Sequence, residues 1–175
     1  INPDALRAEV VRCYGHPLVE TPNIDALAAQ GTRFEQCHVQ HPVCTPSRAS
    51  FMTGWYPHVR GHRTLWHCLR PDEPNLLRYL KQSGYQVRWH GKNDLLSPES
   101  FPLSVTSAET KRRGGMHGAN PYSLEDSEYY SFLYEPYKAP LEDHGDYANV
   151  SSTIDFLRSK PREPFAVYLP LTFPH

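Results

Sequence analysis

Helical and strand-like patterns alternate along the chain, and this alternation constrains the fold more than any other feature. The helical pattern "DEPNLLRYLKQSG" precedes the strand-like "YQVRWH", and "YANVSSTIDFLRSK" precedes the continuously apolar "PFAVYLPLT". An unbroken apolar run is typical of a strand that is buried on both faces of a parallel sheet. Because helices usually connect parallel strands, we predict an α/β fold with a mostly parallel central sheet and helices on both of its faces.

The predicted helices are delimited by capping residues and glycines. In "TPNIDALAAQG", Thr21 is the predicted N-cap, Pro22 the first helical residue and Gly31 the end. Asp72 is the predicted N-cap of the helix in "DEPNLLRYLKQSG". In this helix and in the one in "YANVSSTIDFLRSK", the apolar residues predicted to face inward are Leu76, Leu77, Leu80, Val150, Ile154 and Leu157.

Charge and cysteine content exclude several classes of partner and site. The 18 basic and 19 acidic residues nearly balance, so we expect neither nucleic acid nor an anionic membrane surface as a partner. No apolar run is long enough to predict a membrane span. The four cysteines include no C-x-x-C pair, so a zinc ribbon is not indicated, and they are too sparse for a disulfide scaffold.

Both ends of the sequence look like cut points. The chain begins with Ile1 rather than methionine, and it ends at "LTFPH" directly after a strand-like run. We therefore expect a part of a longer protein, and periplasmic, secreted and cytoplasmic locations all stay open. The segment from about 95 to 145 is rich in Ser, Pro, Tyr and charged residues, and we expect loops or a family-specific insertion there.

Polar segments follow the predicted strands at three places. "NPD" follows the end of a first predicted strand at Ile1, "GKND" follows the middle strand and "FPH" follows the last one. In parallel α/β sheets, ligands bind at the carboxyl ends of the strands. The three segments are therefore predicted to meet at one edge of the sheet.

The stretch "CTPSRASFMTG" is predicted to form a short helix, with Thr45 as N-cap, Pro46 as first helical residue and Gly54 as its end. Cys44 then lies at the helix mouth, where free backbone N–H groups and the helix dipole favour an anion. Arg48, one turn inside, can reach back to an anionic oxygen or a charged nucleophile. The alternative is that Cys44 is a small buried side chain and Arg48 a surface charge.

Several motifs, in this order, resemble those of type I sulfatases. "CTPSR" matches the C-x-P-S-R signature of that family, and "TPNID" and "TGWYP" flank it as they do in sulfatases. "GYQVRWHGK" is similar to the second family signature, and "PFAVYLPLTFPH" is similar to a strand that ends in a Pro-His pair. The resemblance implies an alkaline-phosphatase-like fold, truncated here, with residues 1–175 as the amino-terminal part of a sulfatase catalytic domain. It covers nearly the whole chain except about 95–145.

The resemblance also implies a reaction, the cleavage of sulfate esters. In the family, the motif cysteine, here Cys44, is oxidised by a formylglycine-generating enzyme, and the hydrated aldehyde attacks sulfur. Its second hydroxyl then expels sulfate, a step that an ordinary serine could not perform. A divalent cation, most often Ca²⁺ with Mg²⁺ or Mn²⁺ as alternatives, is implied at Asp4 and Cys44. The implied catalytic residues are Cys44, Arg48, Lys92 and His175.

Two positions depart from the family pattern. Ala5 stands where the family usually has a second metal ligand, and Asp94 stands where it usually has a histidine. We assign Asp94 to substrate binding. Nearby aromatic and imidazole side chains suggest a sulfated carbohydrate as substrate, namely Trp55, Trp66, Trp89, His58, His62 and His67.

Two other functions are compatible with the same residues. The first is hydrolysis of phosphonate monoesters or phosphodiesters, because that group shares the cysteine motif and the metal. The second is a decayed sulfatase that binds sulfated glycans without cleaving them, which Ala5 and Asp94 would explain.

Overall fold

The computed structural model describes residues 1–109, 119–131, 135 and 138–175. Within them, one sheet contains three parallel strands, β1 (Gln86–His90), β2 (Ser107–Glu109) and β3 (Phe165–Tyr168). Their order is β2-β1-β3, and Trp89 in the central strand pairs with Ala108 on one side and Tyr168 on the other. The predicted parallel sheet is confirmed.

The described part of the chain contains five α-helices: α1 (Pro22–Gln30), α2 (Cys44–Thr53), α3 (Leu76–Gln82), α4 (Phe101–Ser104) and α5 (Gly145–Arg158). Short 3₁₀ helices lie at Ala8–Val10, Arg12–Tyr14, Ser127–Tyr130 and Leu141–Asp143. No helix among the described residues is both long enough and apolar enough to cross a bilayer.

Side chains of β1 alternate between two environments. Val87 and Trp89 are fully buried in the apolar core on the side of α3. Arg88 and His90 point to α5, where His90 Nδ1 lies 2.8 Å from Thr153 Oγ1. Because successive side chains of a strand point to opposite faces, α3 and α5 cover opposite faces of the sheet, as predicted.

Trp89 is the largest fully buried side chain and occupies the centre of the core. Its ring lies 5.2 Å from Phe101 and 4.8 Å from Tyr168, both in tilted or edge-on geometry, and its Nε1 donates to Gly91 O at 3.2 Å. Aromatic pairs of this geometry stabilise a core beyond the burial of their area. The remaining buried apolar residues of this core are Ala49, Met52, Leu69, Leu77, Val87, Leu95, Leu96 and Val105.

Part of the segment predicted to form loops is regular structure. Leu95, Leu96 and Val105 are buried in the core, and the chain then forms the edge strand β2. The expectation of loops therefore does not hold for the short elements α4 and β2, which lie beside these buried apolar residues. Residues 110–118 lie outside the described part, and the assignment of a family-specific insertion stays a prediction.

The inward faces of two helices also differ from the prediction. On α5, Ile154 and Leu157 are exposed, and the side toward the sheet consists of small or polar residues, namely Asp146, Ala148, Asn149, Ser152 and Thr153. The polar side of α5 faces the sheet because β1 presents the polar side chains of Arg88 and His90 to it. On α3, Leu76 is exposed and Leu77 buried, and the N-cap is Asn75, whose side chain accepts from Arg78 N at 2.9 Å, rather than Asp72.

Candidate active site

Three chain segments meet at the carboxyl edge of the sheet. Asn2 forms a parallel bridge with Pro170, since Asn2 N donates to Leu169 O at 2.9 Å and Leu171 N donates to Asn2 O at 3.0 Å. On the other side, Lys92 N donates to Pro170 O at 3.2 Å. The segments that carry Asp4, Lys92 and His175 therefore lie side by side, as the sequence predicts.

Gly91 permits the approach of the Lys92 segment to Pro170. It has φ of +134°, and a Cβ atom at this position would lie 2.0 Å from Pro170 O. A side chain here would be excluded by both the backbone conformation and the neighbouring carbonyl oxygen. The glycine thus allows the Lys92 backbone to reach Pro170, just after β3.

Cys44 is the first residue of α2, at the mouth of the helix. The predicted N-cap, Thr45, lies inside the helix instead, and its hydroxyl donates to Leu65 O at 3.1 Å. This long-range partner draws the Thr45 side chain away from the helix end, so the N-cap position falls to Val43 without a side-chain bond. The helix ends at Gly54 with φ of +77°, as predicted.

Asp4 is the centre of the cluster and is buried. The Cys44 Sγ atom lies 3.4 and 3.5 Å from its two carboxylate oxygens, Arg48 Nη2 lies 3.7 Å from Oδ2, and Lys92 Nζ forms an ion pair with the same oxygen. Burial raises the pKa of Asp4, but the hydrogen bond from Lys92 and the charges of Lys92 and Arg48 outweigh it and hold that pKa below its usual value. Asp4 is therefore an anion that two cations surround.

Lys92 is held between two carboxylates. Besides Asp4, it contacts Asp94, with Nζ 2.8 Å from Oδ2. Burial lowers the pKa of Lys92, yet the hydrogen bonds and charges of Asp4 and Asp94 raise it above its ordinary value. Lys92 thus presents a persistent ammonium group at the edge of the sheet, and Asp94 is half-buried beside it.

Arg48 is almost entirely buried, with 3% of its side chain exposed. Its Nη1 has no hydrogen-bond partner among the residues that the structure describes. An unpaired buried donor is costly, and a charged one more so. The alternative that Arg48 is a surface charge is therefore wrong. The open donor is suited to an anionic oxygen.

Three residues could hold a metal ion. Asp4, Cys44 and His175 each offer one ligand atom, and these atoms all lie within 4.8 Å of one another. A carboxylate oxygen suits Ca²⁺ or Mg²⁺, whereas a thiol does not, so Cys44 fits a hard cation only if oxygen replaces its sulfur. The donor set is thus compatible with an oxygen-binding metal once Cys44 is oxidised.

Ala5 supplies no ligand, but its backbone is unusual. It has φ of +56°, in the left-handed region that costs an alanine roughly 1–2 kcal/mol. Asparagine and aspartate tolerate this conformation better than alanine does. The departure from the family pattern at Ala5 therefore removes a donor and adds strain directly beside Asp4.

Two contributors to the site carry no recognisable sequence signal. Asn2 donates from its side chain to the Tyr168 hydroxyl at 2.7 Å, which ties the segment before Asp4 to β3. Asp146 accepts hydrogen bonds from the backbone of Thr172 and Phe173, just before His175. Both contacts join positions far apart in the sequence, and no spacing rule predicts them.

Known proteins share sequence and fold with this chain. The family model described as Sulfatase matches residues 3–175. An uncharacterized sulfatase, YidJ of Escherichia coli (strain K12), is 30% identical over 187 residues that cover 100% of this chain and 37% of that protein. The N-acetylglucosamine-6-O-sulfatase of Bacteroides thetaiotaomicron is 35% identical over 94 residues, which cover 53% of this chain and 17% of the relative.

Solved structures share the fold. Ps i-CgsB in complex with k-i-k-neocarrahexaose has a TM-score of 0.74 at 25% identity, covering 99% of this chain and 44% of that one. BT4656 in complex with its substrate D-glucosamine-2-N,6-O-disulfate has a TM-score of 0.73 at 24% identity, covering 99% of this chain and 33% of that one. The phosphonate monoester hydrolase of Agrobacterium radiobacter has a TM-score of 0.73 at 19% identity, covering 99% of this chain and 40% of that one.

The fold is thus the alkaline-phosphatase-like α/β fold, in a chain that spans between 17% and 37% of the length of these curated relatives. The residues of the family motifs lie together at the edge of the sheet, in the order that the resemblance implies: Asp4, Cys44, Arg48 and Lys92. Since the family model covers nearly every residue, the chain belongs to the sulfatase family.

Proposed function

We propose that this chain carries the nucleophile and the sulfate-binding cations of a sulfate ester hydrolase. The single observation that supports this most is the unpartnered Nη1 of buried Arg48. It lies in a side chain that also approaches Asp4, which in turn contacts Cys44 and Lys92. A site with two fixed cations and an open donor is preorganised for an anion with several oxygens, such as a sulfuryl group.

Each residue has a defined role in the proposed reaction. Arg48 and Lys92 neutralise charge that develops on the sulfuryl oxygens. Lys92 is kept protonated by Asp4 and Asp94, which raise its pKa. His175, whose ring lies near Cys44 and Asp4, donates a proton to the leaving ester oxygen.

Cys44 is proposed to act as formylglycine rather than as a thiol. Burial and the nearby Asp4 carboxylate raise the pKa of the Cys44 thiol, although Lys92 opposes them. A thiol with a raised pKa is a poor nucleophile at neutral pH. The hydrated aldehyde instead offers one hydroxyl for attack at sulfur and a second one for the later release of sulfate.

Asp4 and oxidised Cys44 are proposed to hold the divalent cation, with Ca²⁺ first and Mg²⁺ or Mn²⁺ as alternatives. Bound there, the cation would lower the pKa of the attacking hydroxyl and polarise the sulfate. The pKa of Asp4 is held below its usual value, so this carboxylate is ionised and available at neutral pH.

A sulfated carbohydrate is the proposed substrate class. Of the three tryptophans, Trp89 is a core residue, whereas Trp66 is 87% exposed. Trp66 lines a cavity of about 300 Å³ together with His67 and Ser97. Exposed aromatic rings stack on sugar faces, and two similar proteins were solved in complex with D-glucosamine-2-N,6-O-disulfate and with k-i-k-neocarrahexaose. Asp94 would bind a hydroxyl of the sugar beside Lys92.

The first test is the chemical state of Cys44 in the full-length protein. Mass spectrometry of the peptide that contains Cys44 should show the aldehyde, in which one oxygen replaces the sulfur and two hydrogens are lost. Cys37 is the matched control, because that cysteine is exposed and lies in the same stretch between Arg33 and Arg48, where fragmentation assigns the mass change to one of the two residues. An unmodified Cys44 thiol in fully active protein would contradict the formylglycine mechanism.

The second test is the bond that is cleaved. A sulfate ester, a phosphodiester and a phosphonate monoester of one phenol are compared before and after chelation, and after addition of Ca²⁺, Mg²⁺ or Mn²⁺. We expect the fastest release from the sulfate ester and its loss on chelation. Faster release from either phosphorus ester would favour the phosphonate and phosphodiester alternative. Binding of heparin fragments without any sulfate release would favour the decayed enzyme.

A further inference from the structure

Asp146 is a buried carboxylate that contacts the segment before His175. It lies in the first turn of α5. Thr172 N donates to both of its oxygens at 2.9 Å, and Phe173 N donates to Oδ2 at 2.8 Å. Two consecutive backbone N–H groups of a loop therefore converge on one side chain.

The negative charge of Asp146 is balanced without a cation. No lysine or arginine in the described part of the chain forms an ion pair with it. Its charge is stabilised by the amide groups of Thr172 and Phe173 and by the positive end of the α5 dipole. Hydrogen bonds from N–H groups to a carboxylate are roughly twice as strong as those to a neutral acceptor. A buried carboxylate with only these partners is a strong clamp on the loop that it binds.

The clamped loop leads directly to His175. His175 N donates to Thr172 O at 3.2 Å, which closes a turn on the residue that Asp146 holds. The carbonyl group of Phe173 is also held, because Asp4 N donates to Phe173 O at 3.1 Å. The His144 ring packs edge-on against the Phe173 ring at 4.6 Å. The loop is thus held from α5 on one side and from the Asp4 segment on the other.

We propose that Asp146 is a positioning residue that aligns His175 with the leaving oxygen. This inference rests on the proposed sulfatase function of the site. Asp146 forms no hydrogen bond or ion pair with Cys44, Arg48 or Lys92, so it acts through the backbone of Thr172 and Phe173. His175 can then donate its proton only while the turn at Thr172 is held.

The test compares Asp146→Ala and Asp146→Asn in the full-length protein, with Asp155→Ala as matched control. Asp155 is an exposed acidic residue of the same helix. The asparagine variant keeps an oxygen that can accept both N–H groups but lacks the charge. Hydrogen exchange of the Thr172 and Phe173 amides is measured in each variant. We expect faster exchange for Asp146→Ala, intermediate exchange for Asp146→Asn and no change for Asp155→Ala.

Activity is measured on two sulfate esters with good and poor leaving groups. A small displacement of a catalytic group can cost about a hundredfold in rate, and we expect a loss of about thirtyfold in kcat for Asp146→Ala with the poor leaving group. The loss should be much smaller with the good leaving group, which needs no proton. In a His175→Ala background, Asp146→Ala should have no further effect on the ratio of the two rates.

The outcomes separate the inference from the proposed function. Unchanged exchange in Asp146→Ala overturns the clamp. Equal losses for both leaving groups, or a further change of the ratio in the His175→Ala background, overturn its action through His175. If the wild-type protein cleaves no sulfate ester, the proposed function is wrong, and so is the alignment of His175 with a leaving oxygen. The hydrogen-exchange data still show in that case whether Asp146 holds the amides of Thr172 and Phe173.

Discussion

Asp4 and Glu73 are both buried carboxylates among cations, but different parts of the chain surround them. All side-chain partners of Glu73 lie within 13 residues of it: Arg70 Nη2 at 2.8 Å, His62 Nε2 at 3.2 Å and Arg60 Nε at 3.4 Å. The backbone N–H of Arg70 also donates to Glu73 at 2.8 Å. The Glu73 cluster is therefore a local structure.

The partners of Asp4 come from distant segments, each at least 40 residues along the chain. The cluster is also incomplete, because Arg48 Nη1 has no partner in the described residues and the thiol of Cys44 is only a weak donor. The Glu73 cluster leaves its carboxylate fully bonded, whereas the Asp4 cluster leaves a cationic donor open. The difference indicates that the first stabilises the fold and that the second is built to receive a ligand.

Cys44→Ala should produce the largest effect on activity and a small one on stability. Loss of the nucleophile should lower kcat at least about a thousandfold, on the order of 4 kcal/mol of transition-state stabilisation. The unfolding free energy in urea should change by less than about 1 kcal/mol, because Cys44 lies at the rim of the sheet. Turnover and urea denaturation are measured on the same preparation.

Cys44→Ser sharpens this result. Serine can attack sulfur once, but it lacks the second hydroxyl, so the protein should stall as an adduct heavier by one SO₃ group. Cys37→Ser is the control and should retain full turnover. Repeated turnover of Cys44→Ser at the wild-type rate would show that the nucleophile has been misassigned.

Gly91→Ala should damage both the fold and the site. The added Cβ would lie 2.0 Å from Pro170 O, so the segment after β3 and the Lys92 segment must separate, at a cost of about 3 kcal/mol in unfolding free energy. Gly84→Ala is the matched control, since Gly84 also has positive φ, +87°, but has open space around it. It should lose only about 1 kcal/mol and keep its activity. Equal losses in the two variants would refute the role of close approach.

Glu73→Gln should lower stability without lowering turnover of a small aryl sulfate. Burial raises the pKa of Glu73, but hydrogen bonds from Arg70 and the charges of His62 and Arg70 lower it to about 2, from 4.5. The folded-state pKa is depressed, so the charged form stabilises the fold above pH 4.5, and this contribution is lost as pH falls toward 2. We expect a loss of about 2 kcal/mol at pH 7, allowing for the partly exposed arginines.

Urea denaturation between pH 7 and pH 2 checks this dependence. The difference in unfolding free energy between wild type and Glu73→Gln should shrink as the pH falls through the window from 4.5 to about 2. A difference that stays constant over this range would mean that the charge of Glu73 contributes nothing to stability.

Asp94→Ala should have the smallest effect, a loss of about fivefold in turnover, or roughly 1 kcal/mol. Asp94 is one of two carboxylates that raise the pKa of Lys92, so its removal lowers that pKa. Since the reaction requires the ammonium form of Lys92, the alkaline fall of the pH–activity profile should begin at a lower pH than in the wild type. Glu99→Ala, an exposed acidic residue of the same region, is the control. Turnover within about twofold of wild type on every substrate would remove Asp94 from the site.

The sequence predicted the fold and the site where local rules apply. Periodic apolar residues, prolines and glycines delimited α1 and the end of α2 correctly, and the apolar run of β3 indicated a parallel strand, whereas α2 begins two residues before the predicted Pro46. Parallel strands place their carboxyl ends at one edge, so the meeting of Asp4, Lys92 and His175 was predictable as well.

Local rules failed where a distant residue competes for a side chain. Thr45 was predicted as an N-cap from its position alone, but Leu65 O takes its hydroxyl. Ile154 and Leu157 were predicted to face the sheet, yet α5 turns its polar side to Arg88 and His90. Leu65, Arg88 and His90 are all distant in sequence from the residues that they contact, so capping rules and helical periodicity do not predict these contacts.

The sequence by itself therefore determined the order of helices and strands, the short helix with Cys44 at its mouth and the edge of the sheet where the site lies. Only the tertiary structure decided that Arg48 keeps an open donor, that Gly91 must lack a side chain and that Asp146 holds the turn before His175. The physical reason is the range of the interactions. Capping and periodicity act within a few residues, whereas buried charges and backbone contacts are completed by segments that only the folded chain brings together.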